Sequence, residues 1–168
     1  MKRNGSSKRK LLLPTTDKIT TTMAQWIEVK VRYRKMMENG IEKDVTEPYL
    51  VDALSCTEAE ARVVEEITPF THDCNVLAVN KTKISEVFWS DGDKFYKVKV
   101  NFITIDEKTA VEKKKASFTL VQAADFEAAL DGFNKGMKGT IADFEIESII
   151  ETKIIDVYPI KLDSSEND

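Results

Sequence analysis

The stretch Trp26-Ile-Glu-Val-Lys-Val-Arg-Tyr33 returns 69 residues later as Phe95-Tyr-Lys-Val-Lys-Val-Asn-Phe102, with Val29, Lys30 and Val31 falling on Val98, Lys99 and Val100. The first copy alternates strictly: Ile27, Val29, Val31 and Tyr33 point one way, and Trp26, Glu28, Lys30, Arg32 and Arg34 the other. That period of two is the pattern of a half-buried strand. At an offset of 70, Leu50-Val51-Asp52-Ala53 lies over Leu120-Val121-Gln122-Ala123. The same offset places Thr82-Lys83-Ile84-Ser85-Glu86-Val87-Phe88 over Thr152-Lys153-Ile154-Ile155-Asp156-Val157-Tyr158. Three blocks in one order, slipping by a single residue, point to a duplicated unit of about 65 residues.

Between these blocks each unit reads alike. Glu38-Asn39-Gly40 supplies a turn after the first strand, because Asn-Gly tolerates positive φ. A second strand runs over about 45–54, where Pro48 predicts an edge or a bulge. Thr57 is the expected N-cap of a helix with Ala61, Val64 and Ile67 on its inner face, ending before Pro69. A closing strand spans about 76–89 and ends at the Ser90-Asp91-Gly92-Asp93 turn. The second copy places strands at about 95–105 and 117–122. Its helix is capped by Asp125, faces inward through Phe126, Ala129, Leu130 and Phe133, and is ended by glycines, after which a long strand closes the unit over about 144–158 with a bend or bulge. The expected fold class is therefore α+β: two tandem ββαβ repeats related by pseudo-twofold symmetry, forming antiparallel sheet or sheets with two helices. An isolated three-stranded unit with one helix has too little core to stand alone, so the copies should associate.

The expected organisation is a flexible basic arm at 1–24, a first repeat at 25–91, a second at 92–158 and an acidic tail at 159–168. The arm holds six cations against Asp17, a balance of +5, the repeats together carry −7 and the tail −2, which add to the formal charge of −4 over 168 residues. An acidic total excludes a histone-like coat, so any nucleic-acid surface has to be a local patch. His72 is the single histidine and Cys56 and Cys74 are the two cysteines. One H-x-C pair is too little for a zinc site, and no metal or other cofactor is expected. Cysteine usage and the lack of an apolar run beyond Leu11 to Leu13 at the N-terminus predict a soluble cytoplasmic protein with no membrane partner. Phosphate-loop, dinucleotide-binding and nucleophile-elbow patterns are all missing, and Glu58, Glu60, Glu65 and Glu66 read as a solvated helix face; no catalytic residue is assigned and the chain is not expected to be an enzyme.

What could carry function is the outer face of the repeated strands. Trp26 is followed by Lys30, Arg32 and Arg34, and Phe95 by Lys97 and Lys99, an aromatic ring with cations at alternate residues. On such a face bases can stack while cations follow phosphates. The run Lys113-Lys114-Lys115 adds to it. A plain solvated strand, its lysines guarding an edge, accounts for the same pattern.

The blocks at 26–33, 47–62 and 95–104, with Gly136-Met-Lys-Gly-Thr140, resemble an uncharacterised small domain family, a domain of unknown function, found in Bacteroidota and in their phages and mobile elements. The resemblance covers about residues 23–160 and leaves the arm outside, which points to Met23 as the ancestral start. It carries over no site residues. It implies an accessory protein of phage or mobile-element type. Two readings follow: a non-catalytic protein that binds single-stranded nucleic acid on the repeated first strands, or an interaction and assembly module that pairs with itself or another protein without nucleic acid.

Overall fold

The computed structural model describes residues 25–160, so the expected arm at 1–24 and all of the expected tail beyond residue 160 lie outside the described residues. The elements run in the order β1 (Gln25–Met36), β2 (Glu42–Ala53), α1 (Cys56–Ile67), β3 (His72–Lys81), β4 (Ile84–Phe88), β5 (Lys94–Ile105), β6 (Glu112–Ala123), α2 (Phe126–Gly136), β7 (Asp143–Glu151) and β8 (Asp156–Tyr158), with a short 3₁₀ turn at Thr68–Phe70. Two sheets result, ordered β3-β1-β2-β8 and β4-β6-β5-β7. The fold is α+β, with two helices and two largely antiparallel sheets.

The element order reads β-β-α-β-β twice rather than the expected ββαβ, because each long closing segment breaks in two. The break has a local cause. Thr82 donates both its amide (3.0 Å) and its hydroxyl (2.8 Å) to the Trp26 carbonyl, and its Oγ1 accepts from the Ile84 amide at 3.3 Å. Thr152 repeats the device on the Phe95 carbonyl at 2.9 and 2.7 Å, with the Ile154 amide at 3.3 Å. A side chain that takes over a backbone bond ends the ladder and turns the chain. Past that joint the chain crosses to the other sheet: β4 pairs in parallel with β6, and β8 in parallel with β2. Each sheet is thus completed by a strand from the other repeat.

The hairpins β1/β2 and β5/β6 are in register along their whole length, from Gln25↔Ala53 to Met36↔Glu42 and from Lys94↔Ala123 to Ile105↔Glu112. Their turns are held by Asn39, whose Oδ1 accepts from the Ile41 amide, and by Asp106, whose Oδ1 accepts from Lys108 and Thr109. Those amides, with Lys113, hold the Asp106 carboxyl below its ordinary range. Pro48 fits its strand because β8 covers only Tyr49 to Val51; as far as Pro48, β2 is an edge.

α1 packs on the first sheet and α2 on the second. Ser55, two residues earlier than the expected Thr57, caps α1 by accepting from the Glu58 amide, while the Glu58 carboxylate accepts from the amide of Leu54 just before the cap, a variant of the capping box. That earlier start rotates the helix, so its buried residues are Ala59, Val63 and Ile67 rather than Ala61, Val64 and Ile67. They close over Ile27, Val29, Val31 and Val51. Asp125 caps α2 as expected. Ala129 and Phe133 bury, whereas Phe126 stays exposed and Leu130 half-buried. Each fully buried Val, Ile or Phe contributes about 1.5–3 kcal/mol relative to exposure. Gly132 lies inside α2 instead of ending it, which lets the helix approach Val121, and Gly136 is open to the Phe88 ring of the crossing strand. The opposite faces of the sheets meet through Leu50, Phe95, Leu120, Ile154 and Val157, with Trp26, Ile84 and Val87 packed against them.

Two stability predictions follow from the joints and the turns. Thr82→Val and Thr152→Val keep the shape but strip the hydroxyl, leaving an amide without its acceptor, and each should lower unfolding free energy by about 1–2 kcal/mol in a urea titration. Gly92→Ala would put a Cβ 2.0 Å from the Ala123 carbonyl carbon, where backbone has to move. It should cost about 3 kcal/mol or more. Gly40→Ala, at φ +81° in open space, should cost only about 1 kcal/mol.

Candidate nucleic-acid interface

Beyond the shared apolar cluster the two inner sheet faces turn polar and part, leaving an open cleft of about 620 Å³. That volume is within the range of small-ligand sites. Both sheets and both joints line it: Lys30 from β1, Pro48 from β2, Lys97 from β5, Phe118 from β6, and the paired triplets Thr82-Lys83-Ile84 and Thr152-Lys153-Ile154. The cations of this wall are Lys30, Lys83, Lys97 and Lys153, against Glu28 as its one carboxylate. None of the four lysines makes an ion pair among the described residues; Lys97 instead sets its ammonium 5.5 Å from the centre of the Phe118 ring.

The other cations proposed from the sequence are placed differently. Arg32 pairs with Asp44 at 3.6 Å, and Arg34 with Glu42 and Asp44 at 3.7 Å each. Lys99 reaches Glu147 at 2.7 Å, Lys113 reaches Asp106 at 3.4 Å and Lys114 reaches Glu145 at 2.6 Å. Lys113, Lys114 and Lys115 follow one another on β6, so they alternate between faces and cannot form one patch. Lys115 sits opposite Phe102, on the helix-covered side.

The aromatic half of the expectation needs correcting. Phe95 is 2% exposed and belongs to the cluster between the sheets, so it cannot receive a base. Trp26 is half-buried against the same cluster. At the start of each strand the inner face is where the sheets meet, and a ring there is drawn into the core. Of the ten candidate residues, only Lys30 and Lys97 line the cleft.

Sequence reasoning passed over Lys83, Lys153 and Phe118. The first two were visible as the centre of a Thr-Lys-Ile triplet repeated without change at an offset of 70. The threonine ends the strand, the isoleucine enters the core, and the lysine between them has no structural task. Phe118 reads as one more apolar strand residue. Only the pairing of β6 with β4 reveals that it borders an opening.

His72 and Cys74 lie on β3 with exposed and half-buried side chains, and no group of three or more His, Cys, Asp or Glu among the described residues is placed to hold a metal ion. Burial pushes the Cys74 thiol up, which makes it a poorer nucleophile and ligand. No helix among them is long and apolar enough to cross a membrane.

The division between paired and unpaired cations can be tested by titration. Glu147 accepts from Lys99 and from the Asn101 amide at 3.1 Å, and these bonds hold its carboxyl below the ordinary range. A depressed carboxylate adds stability above its unfolded value and loses it as pH falls through the folded one. Lys99→Ala should move the Glu147 titration upward in a carboxyl NMR experiment. Lys97→Ala should leave it in place.

Residues 25–160 match the family model described as Domain of unknown function (DUF4494). Neither the curated proteins nor the solved structures contain a match to the chain.

Proposed function

We propose a function for a chain that belongs to the DUF4494 family: it is a non-catalytic accessory protein that binds single-stranded nucleic acid in the cleft between its two sheets. The observation that carries this reading is the sorting of the cations. Among the described residues eight, Arg32, Arg34, Lys35, Lys94, Lys99, Lys113, Lys114 and Lys135, stand beside carboxylates, and six more, Lys43, Arg62, Lys81, Lys108, Lys115 and Lys138, are in none of these pairs and do not line the cleft. Lys30, Lys83, Lys97 and Lys153 gather instead around one opening with a single carboxylate among them. Four like charges brought together repel one another, and the arrangement is relieved by a polyanion. Outside the cleft carboxylates outnumber cations among the described residues, so the four lysines form a local exception on an acidic protein.

A phosphodiester strand suits this site better than a compact anion. The lysines come from four separate segments around an open cleft rather than from one cradle of backbone amides, a geometry that follows a backbone and does not enclose a single phosphate. Besides the charged groups the lining holds Pro48, Ile84, Phe118 and Ile154 together with Thr46, Thr82 and Thr152, which offers apolar and hydrogen-bonding surface to bases beside the charges that take phosphate. The resemblance to a family of Bacteroidota phages and mobile elements fits an accessory role in replication or assembly in the cytoplasm.

Fluorescence anisotropy with a labelled oligothymidylate checks the reading. Binding at low salt should weaken as salt rises, with a log–log slope approaching about −3 for four contacts on single-stranded nucleic acid. Replacing Lys83 and Lys153 together by Ala should weaken it by about ten-fold or more and flatten that slope, while Arg34→Ala changes little. An absence of binding at low salt would sink the proposal.

A further inference from the structure

We infer that Phe118 is the surface on which the cleft receives a nucleobase, so that the site takes a base together with its phosphate. This rests on the reading of the cleft as a nucleic-acid site and adds to it a contact that charge alone does not supply. The four lysines recognise phosphate and nothing else. What separates them is an apolar wall of Pro48, Ile84, Ile154 and Phe118. Of these, Phe118 alone has a π-face, and it is only half-buried.

The ring is held in place from both sides. Phe118 sits opposite Lys99 on β5 and beside Ile84 on β4, and its carbonyl accepts from the Ser85 hydroxyl at 3.0 Å. The position is therefore set by paired backbone on two strands. Its free face is marked by the Lys97 ammonium, 5.5 Å from the ring centre. A cation stands over a ring face only where side chains leave that face uncovered. Once a strand occupies the cleft, Lys97 gains a phosphate oxygen as partner, and the vacated face can take a base; a base stack on an aromatic ring outweighs an exposed ammonium contact. The first sheet supplies Pro48 at the matching register position, since Lys30 lies opposite Pro48 as Lys99 lies opposite Phe118. The base site is thus bounded by one aromatic and one pyrrolidine ring, both on the second strands of their hairpins.

This assignment replaces Phe95, which the core has buried, and Trp26, which packs half-buried against that core and does not line the cleft, with a residue on the strand beside Phe95. The test compares two probes on the full chain: a labelled oligothymidylate, and an abasic oligomer with the same number of phosphates. The wild type should bind the thymidylate about ten-fold more tightly than the abasic strand, the scale of one aromatic–base stack. Phe118→Leu, which keeps apolar bulk, should erase that preference, with circular dichroism and the urea midpoint reporting an intact fold. Phe118→Tyr should retain the preference. A thymidylate preference that survives Phe118→Leu overturns the assignment, and so does equal binding of both probes by the wild type, which leaves the phosphate reading standing. If neither probe binds at low salt, the cleft reading fails and this inference with it.

Discussion

Thr82 donates its amide and its hydroxyl to the Trp26 carbonyl, and Thr152 does the same to Phe95, so each repeat is anchored at the first residues of its own first strand before it leaves for the other sheet. Two bonds on one carbonyl, plus the Ile84 and Ile154 amides on the threonine oxygens, give partners to the amides on either side of each lysine. With β4 and β8 exchanged, neither sheet reaches four strands from its own repeat. A unit of this size buries too little to fold well alone, and the exchange joins two marginal cores through a third cluster built from both.

The same joints shape the cleft. Each must place one residue between the threonine that stops the strand and the isoleucine that enters the core, and that residue has solvent on one side and the opposite sheet on the other. Lysine fills the place twice. Because the two crossings run past each other, Lys83 and Lys153 arrive at one opening, where Lys30 and Lys97 project from the first strands of opposite sheets. The positive field there follows from topology more than from composition, in a chain whose formal charge is −4. Elsewhere the hairpins carry cations and carboxylates at facing register positions, such as Arg34 opposite Asp44, which keeps those surfaces near neutral.

Much of this architecture was legible in the residues. The alternation of Trp26 to Arg34, the Asn39-Gly40 turn, the Asp125 cap and the three recurring blocks lead directly to two hairpins and two helices in tandem. What they did not reveal was the crossing, since a strand that switches sheets keeps its β pattern on both sides of the break; the clue was the triplet Thr-Lys-Ile, which recurs unchanged inside each closing segment. The site suffered from the same blindness. Alternation tells which face a residue takes but not what covers that face, so Phe95 reads as an outward ring although the opposite sheet buries it, and Arg32, Arg34, Lys113 and Lys114 read as free although carboxylates on other strands or in the turn meet them. Lys30 and Lys97 were found because their strands happen to border the opening.

The parallel pairing of β8 with β2 joins Leu50 to Val157, residues more than a hundred positions apart. During synthesis the first sheet consequently waits for the last strand of the domain to leave the ribosome, and its edge beside Tyr49 to Val51 is open until then. Contacts of such long range slow folding, because loop closure has to precede any gain from pairing. Without β8 that sheet has three strands and an unpaired edge, which a second nascent chain could complete with its own β8. Crowded synthesis on polysomes is therefore where this fold is most exposed to trading strands between molecules instead of within one.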